Sequence, residues 1–175
     1  NVSNALAAAG LALAAGIAPE LIAERLGSVS IESPHRMDIS ELSGDLLLID
    51  DSYNANIDSM TAALAVLPAL AGERRRVVVI SEMLELGESS AADHARTGEL
   101  AAQAGAAMLI GIGSTQEALE AARARGVEVV GFDDAATAIS QIDALLCDGD
   151  AVLVKGSNGS GAWRLADPPK EVRPR

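Results

Sequence analysis

From Arg36 onward, short runs rich in Val, Ile and Leu alternate with longer Ala-rich stretches. The short runs predict strands near Met37–Ile39, Leu46–Ile49, Arg76–Ile80, Ala107–Ile112, Glu128–Gly131 and Ala151–Val154. The longer stretches predict helices near Ser59–Leu70, Ala91–Ala104, Thr115–Arg125 and Ala135–Leu145. Regular strand–helix alternation of this kind predicts the α/β class, with an open, mostly parallel sheet and helices on both faces. Upstream, Val2–Ala15 are strong helix formers that Gly16 stops, and Pro19 opens a second helix, Glu20–Leu26, that Gly27 ends. Such a pair is too small to bury its own apolar faces, so something absent from this chain, or the following domain, is expected to cover this short helical segment that precedes the α/β domain. Ser28–Pro34 reads as a linker, and the Pro-rich stretch Asp167–Arg175 has too little apolar surface to join a core. The expected organisation is therefore residues 1–33 as helices plus linker, residues 34–166 as the α/β domain, and residues 167–175 as a frayed tail.

Composition narrows the function classes. A chain of 175 residues accommodates one full domain with a small appendage, and its aromatic fraction of 2% leaves the core to Ala, Val, Leu and Ile. The formal charge of −12, from 13 basic and 25 acidic side chains, repels nucleic acid and anionic membranes unless a basic patch overrides it. Arg74-Arg75-Arg76 is the one basic cluster, and its place before a strand reads as a solvated turn. Cys147 has no partner for a disulfide, fits a reducing cytoplasm, and beside Leu145 and Leu146 reads as a packed thiol. No apolar run approaches the roughly 20 residues of a membrane-spanning helix. The chain begins at Asn1, inside a helical pattern, and so reads as an excised piece.

In a parallel sheet the residues following each strand converge on one edge, which is where α/β folds bind ligands. Those residues here are Asp50–Asn56, Ser81–Gly87, Gly111–Ser114, Asp133-Asp134 and Lys155–Gly159. The first group is the richest. Asp51 can accept hydrogen bonds from sugar hydroxyls, and Asn54 and Asn56 each offer a donor and an acceptor to a base edge or a phosphate. The competing reading is a helix cap, which Asp58 or Ser59 would serve. Lys155-Gly156-Ser157-Asn158-Gly159-Ser160-Gly161 joins a cation to a glycine-rich turn, without the GxxxxGK[ST] spacing of a P-loop; the alternative is a flexible loop with Lys155 solvated. Gly111-Ile112-Gly113 begins a GxGxxG pattern that Gln116 breaks, so a tight turn is expected there. Glu82, Glu85, Glu88, Asp93 and His94 match no metal-binding spacing; an acidic first helical turn explains them better, with His94 structural.

Three ordered motifs then coincide with a known family. Asp50-Asp51-Ser52-Tyr53-Asn54-Ala55-Asn56, Glu82-Met83-Leu84-Glu85-Leu86-Gly87 with His94 and Gly98 downstream, and Leu153-Val154-Lys155-Gly156-Ser157 resemble the Mur ligases. Asn1–Ala9 resembles the end of that family's central ATPase domain, and Pro34-His35-Arg36-Met37 its junction with a Rossmann-like C-terminal domain. The resemblance implies an ATP-dependent, ADP-forming ligase that joins D-alanyl-D-alanine to UDP-N-acetylmuramoyl-tripeptide through an acyl-phosphate. It also implies magnesium in the central domain and missing N-terminal and central domains as partners. By that likeness Asn1 and Asn4 belong to the central active site, Arg36 contacts ATP phosphates, Asp51 holds the ribose, and Asn54 and Asn56 lie against the nucleotide. Lys155 is then the catalytic cation, and Tyr53 and Ser157 are substrate contacts. The chain departs from the family pattern at Ile57, where proline is common, at Ser81, where glycine is usual, and at Asn158 and Gly161, where basic or bulky residues follow the Lys-Gly-Ser. No GxxGK[ST]-type loop occurs, so the chain alone is expected to be inactive. A folylpolyglutamate-synthase-like ligase domain shares the implied architecture, and a non-catalytic nucleotide-binding adaptor would use the same edge.

Overall fold

The six runs rich in β-branched residues and leucine all pair into one sheet in the computed structural model, which describes residues 2–28 and 34–166. Its strands are β1 (Asp38–Leu42), β2 (Leu46–Asp51), β3 (Arg76–Ser81), β4 (Met108–Ile112), β5 (Glu128–Phe132) and β6 (Ala151–Lys155). Their spatial order is β1-β2-β6-β3-β4-β5. Every pairing is parallel except that of β1 with β2, a hairpin at one edge. The expected strands are all present, and the antiparallel edge is what makes the sheet mostly parallel.

The helices of this unit are α3 (Ile57–Ala71), α4 (Ser90–Gln103), α5 (Gln116–Arg123), α6 (Ala135–Gln141) and α7 (Trp163–Ala166). Because a strand–helix–strand crossover is right-handed, the direction of travel along the sheet decides which face each helix covers. The steps β2 to β3, β3 to β4 and β4 to β5 all run one way, so α3, α4 and α5 share a face. Met60, Leu64 and Leu67 of α3, Leu100 of α4 and Leu119 of α5 pack there on Leu47, Ile49, Val78, Ile80, Leu109 and Leu153. The return from β5 to β6 reverses direction and carries α6 to the other face. Ala135 and Ala138 of α6 and Leu165 of α7 lie there with Leu46, Leu48, Val77, Val79, Ile110 and Val154. Alternate residues of each inner strand thus feed opposite cores, and both faces are apolar, as parallel sheets require.

With few large side chains, the helices pack by close backbone approach. A Cβ at Gly98 of α4 would collide with the carbonyl of Ala118 in α5. The helix α6 is shorter than its periodicity predicts and gives way to a 3₁₀ turn, Ile142–Ala144. The chain divides into two units, Asn1–Ser33 and Pro34–Arg175. The first holds α1 (Val2–Ala14) and α2 (Pro19–Ser28), and among its described residues only Ile22 is buried. Gly27 does not end α2, which runs on to Ser28.

Three readings of single residues are corrected. The arginine cluster is not a solvated turn: Arg75 binds Asp150 with paired contacts of 2.8 and 2.7 Å, Arg74 pairs with Asp45, and Arg76 donates to the carbonyls of Ala104 and Gly72. Cys147 is exposed rather than packed. The cap of α3 is Asn56, whose Oδ1 accepts from the Ser59 amide at 2.8 Å while Ser59 Oγ accepts from the Asn56 amide at 3.1 Å. Asp58 takes no part in that reciprocal box.

Candidate functional site

Strand order makes the chain part in two directions at the C-terminal ends of β2, β6 and β3. The chain leaving β2 turns to α3 on one face, whereas the chain leaving the adjacent β6 turns to α7 on the other. Neighbouring loops therefore part, which is the topological switch point at which open α/β sheets take ligands. The register sets Asp51 level with Lys155, and Lys155 level with Ile80. The two sequence motifs separated by 104 positions meet here: Lys155 Nζ donates to Asp51 Oδ2 at 2.6 Å.

Lys155 is buried, with 2% of its side chain exposed, and its other acceptors are the carbonyls of Asn54 at 3.0 Å and Asp51 at 3.4 Å. An ammonium has three protons, and these three oxygens surround it. The alternative of a solvated Lys155 on a flexible loop is overturned. Asp51 also accepts from the Met37 amide through Oδ1 at 3.2 Å, and its side chain remains 18% exposed. Asp50 is an internal brace: Oδ2 meets His35 Nδ1 at 2.6 Å, and Oδ1 accepts from the amide and hydroxyl of Ser52.

The segment Pro34–Met37 is held over the same loop. His35 and Met37 both adopt left-handed backbone conformations, at φ 63° and 55°. For non-glycine residues these conformations persist only when surrounding contacts impose them. The contacts are present: the His35 amide donates to Asp38, its carbonyl accepts from Tyr53, and its ring lies 5.8 Å from that of Trp163. This leaves Arg36 at the surface with its guanidinium carbon 3.9 Å from the centre of the Tyr53 ring, a cation–π pair at the mouth of the loop.

On the other side of β6, the turn after Lys155 is tied to the end of β3. Ser157 Oγ is buried and accepts from the Leu84 amide at 3.1 Å. Ser160 Oγ lies 2.6 Å from both Ser81 Oγ and the Ser157 carbonyl. One donor order satisfies both contacts: Ser81 donates to Ser160, which donates to Ser157. A Cβ at Gly156 would collide with the Ser81 hydroxyl, so glycine is needed there.

The expected site residues therefore divide. Arg36, Asp51, Tyr53, Asn54, Lys155 and Ser157 gather around the ends of β2 and β6, with Asn54 exposed. Asn56 is adjacent, with its carbonyl oxygen committed to the α3 cap. Asn4 lies on α1 of the other unit, and Asn1 falls outside the described residues. Sequence reasoning missed the bracing roles of His35, Asp50 and Ser160; no local spacing marks them. The turn at Gly111–Gly113 is filled from within, since Thr115 and Leu119 occupy the space a Cβ at Gly111 would need. His94 is structural: Nε2 accepts from the Met83 amide at 3.0 Å and Nδ1 faces the Ser90 carbonyl at 2.8 Å. Among the described residues no group of three or more His, Cys, Asp or Glu could hold a metal ion. No helix among them is long and apolar enough to cross a membrane.

Comparison with known proteins fits this arrangement. Residues 35–158 match the family described as Mur ligase, glutamate ligase domain. The UDP-N-acetylmuramoyl-tripeptide–D-alanyl-D-alanine ligase of Mycobacterium tuberculosis is 36% identical over 188 residues, covering 95% of this chain and 37% of the relative. That of Escherichia coli is 36% identical over 162 residues, covering 91% and 34%. Crystal structure II of MurF from Acinetobacter baumannii superposes with a TM-score of 0.77 at 31% identity, covering 94% of this chain and 36% of that one. The chain thus spans roughly a third of the length of the relatives it matches. With the motifs at the strand ends, the sheet order and the match over residues 35–158 in agreement, this chain belongs to the Mur ligase family and carries its glutamate ligase domain.

Proposed function

We propose that this domain serves an ADP-forming, ATP-dependent ligase of peptidoglycan-precursor synthesis in the cytoplasm, one that joins D-alanyl-D-alanine to UDP-N-acetylmuramoyl-tripeptide. In this reading ATP transfers its γ-phosphoryl group to the tripeptide carboxylate, and ADP leaves. The dipeptide amine then attacks the acyl-phosphate carbon, loses a proton, and expels inorganic phosphate from the tetrahedral intermediate. Such a path needs cations at the developing phosphate charge and a closed, dry cleft.

The observation that carries the placement of the site is the contact between Asp51 and Lys155 at the switch point. Around it, Asp51 keeps an exposed edge to accept from ribose hydroxyls, and exposed Asn54 and the free amide end of Asn56 lie along the same loop. Arg36, stacked on Tyr53 at the mouth, is the residue type for phosphate. Ser157 lies on the β6 side, which in this reading is turned towards the acyl-phosphate and the dipeptide. Asn1 and Asn4 go with the central active site in this reading. The donor set suits ATP; magnesium goes with the central domain in this reading, as the likeness to the family implies.

Phosphate release tests the proposal. The chain given ATP, UDP-N-acetylmuramoyl-tripeptide and D-alanyl-D-alanine should show no turnover, and mixing it with the separately expressed N-terminal part should restore turnover that depends on all three substrates. Turnover by the chain alone, or none on mixing, would refute it.

A further inference from the structure

The buried ammonium at the centre of the site is enclosed by three protein oxygens. Its surroundings are Asp51 Oδ2 at 2.6 Å, the Asn54 carbonyl at 3.0 Å and the Asp51 carbonyl at 3.4 Å, with 2% of the side chain exposed. All three acceptors belong to the segment that leaves β2 for α3. A cation sealed by one loop's oxygens organises that loop; a cation meant for phosphate keeps donors open to it.

We infer that Lys155 is a positioning residue: it fixes the Asp51 carboxylate and the Asp51–Asn54 turn in the geometry that receives the nucleotide's ribose, without itself contacting the phosphates. The inference deepens the proposed function and rests on its reading of Asp51 as ligand-facing. Three features make Lys155 suited to the task. It ends β6, the strand inserted between β2 and β3, so its backbone is held by ladders on both sides. The next residues are anchored to the end of β3 through Ser157, Ser160 and Ser81, so the turn behind Lys155 is held as well. Among the described residues Asp51 has one other contact on its carboxylate, a bond from the Met37 amide that at 3.2 Å lies at the long end of the hydrogen-bond range. Lys155 therefore supplies the main restraint on Asp51, and through the Asn54 carbonyl it restrains the turn carrying Tyr53 and Asn54.

The test compares the chain with its Lys155→Met variant by two readouts. The first is amide hydrogen exchange. Protection at Met37, whose amide reports the Asp51 carboxylate, should fall about tenfold or more in the variant. Protection at Val78 and Val79 in β3 should not change. Retained protection at Met37 overturns the inference. The second is titration with ATP, 2′-deoxy-ATP and 3′-deoxy-ATP. The wild-type chain should prefer ATP to the weaker-binding deoxy analogue by roughly tenfold, as expected for a hydrogen bond to a charged acceptor, and Lys155→Met should bring that ratio near one. A phosphate-contacting lysine would instead weaken all three ligands in parallel and keep the ratio, which also overturns the inference. A wild-type chain indifferent to the ribose hydroxyls would defeat the reading of Asp51 as ligand-facing and, with it, the ribose part of the inference, while exchange at Met37 still decides whether Lys155 holds the loop. If Lys155→Met does not fold, Lys155→Gln, which keeps a donor for the Asn54 carbonyl, carries both readouts.

Discussion

Unequal burial makes the two ends of the Asp51–Lys155 pair unequal in cost. Removing Asp51 strands an ammonium with 2% exposure between two carbonyls, whereas removing the ammonium leaves a carboxylate that is 18% exposed and can hydrate. Breaking a buried pair by deleting one partner typically costs about 3 kcal/mol, and losing a partly hydrated hydrogen bond about 1 kcal/mol. Asp51→Ala should thus destabilise the chain more than Lys155→Met in urea unfolding at neutral pH; the reverse order would contradict the burial argument. The Asp150 carboxyl illustrates a different balance. Burial pushes its pKa up, but the hydrogen bonds from Arg75 and the Cys147 amide, with the charge of Arg75, outweigh burial and hold it below the usual carboxylate value. A depressed folded-state pKa adds stability that is complete above about pH 4 and is lost as the pH falls through the lower folded value. Asp150→Asn should therefore lower the thermal midpoint at pH 7, and the gap to the wild type should narrow below about pH 4. A gap that stays constant down to pH ~3 would exclude this linkage.

Elements in this protein are joined by close approach rather than by bulky side chains. Gly98 lets α4 meet α5, and Gly156 lets the turn after β6 meet the end of β3. The second contact is the more informative because the position opposite it, Ser81, departs from the glycine usual in the family. A methyl at Gly156 would clash with the Ser81 hydroxyl and approach Ser81 Cβ at 2.9 Å and Ala162 Cβ at 3.2 Å. Gly156→Ala should cost about 2 kcal/mol, as overpacked sites do, and adding Ser81→Gly should recover part of that loss because it removes the two nearest clashing atoms and leaves the Ala162 contact. Strictly additive effects in a denaturation double-mutant cycle would contradict this. Element type was legible from the chain because strands buried on both faces read as continuous apolar runs, as in Val77–Ile80 and Val152–Val154. Element ends were less so. Asn56, Asp58 and Ser59 are all competent caps, and their competition is decided by where α3 docks on the sheet.

For the whole molecule, the decisive feature is the insertion of β6 between β2 and β3. It brings Asp51 beside Lys155, makes the loops on either side part to opposite faces, and sets the ties from β6 to those loops. The charge of −12 fits a domain whose basic side chains are engaged internally, as with Arg74, Arg75, Arg76 and Lys155, rather than displayed to nucleic acid. By itself the sequence determined the α/β class, the strand positions, the turn at Gly111–Gly113 and the polar groups that follow each strand. Those features follow from neighbouring residues along the chain: apolar period, glycine freedom, and the chemistry of a few consecutive side chains. Only the tertiary structure decided that Lys155 is enclosed by the β2 loop, that Asp50 braces His35, that Ser81 reaches Ser160, and that Arg75 is committed to Asp150. Each of these contacts joins residues at least 15 positions apart and up to 104. Their formation depends on strand order and crossover hand, which no local pattern specifies.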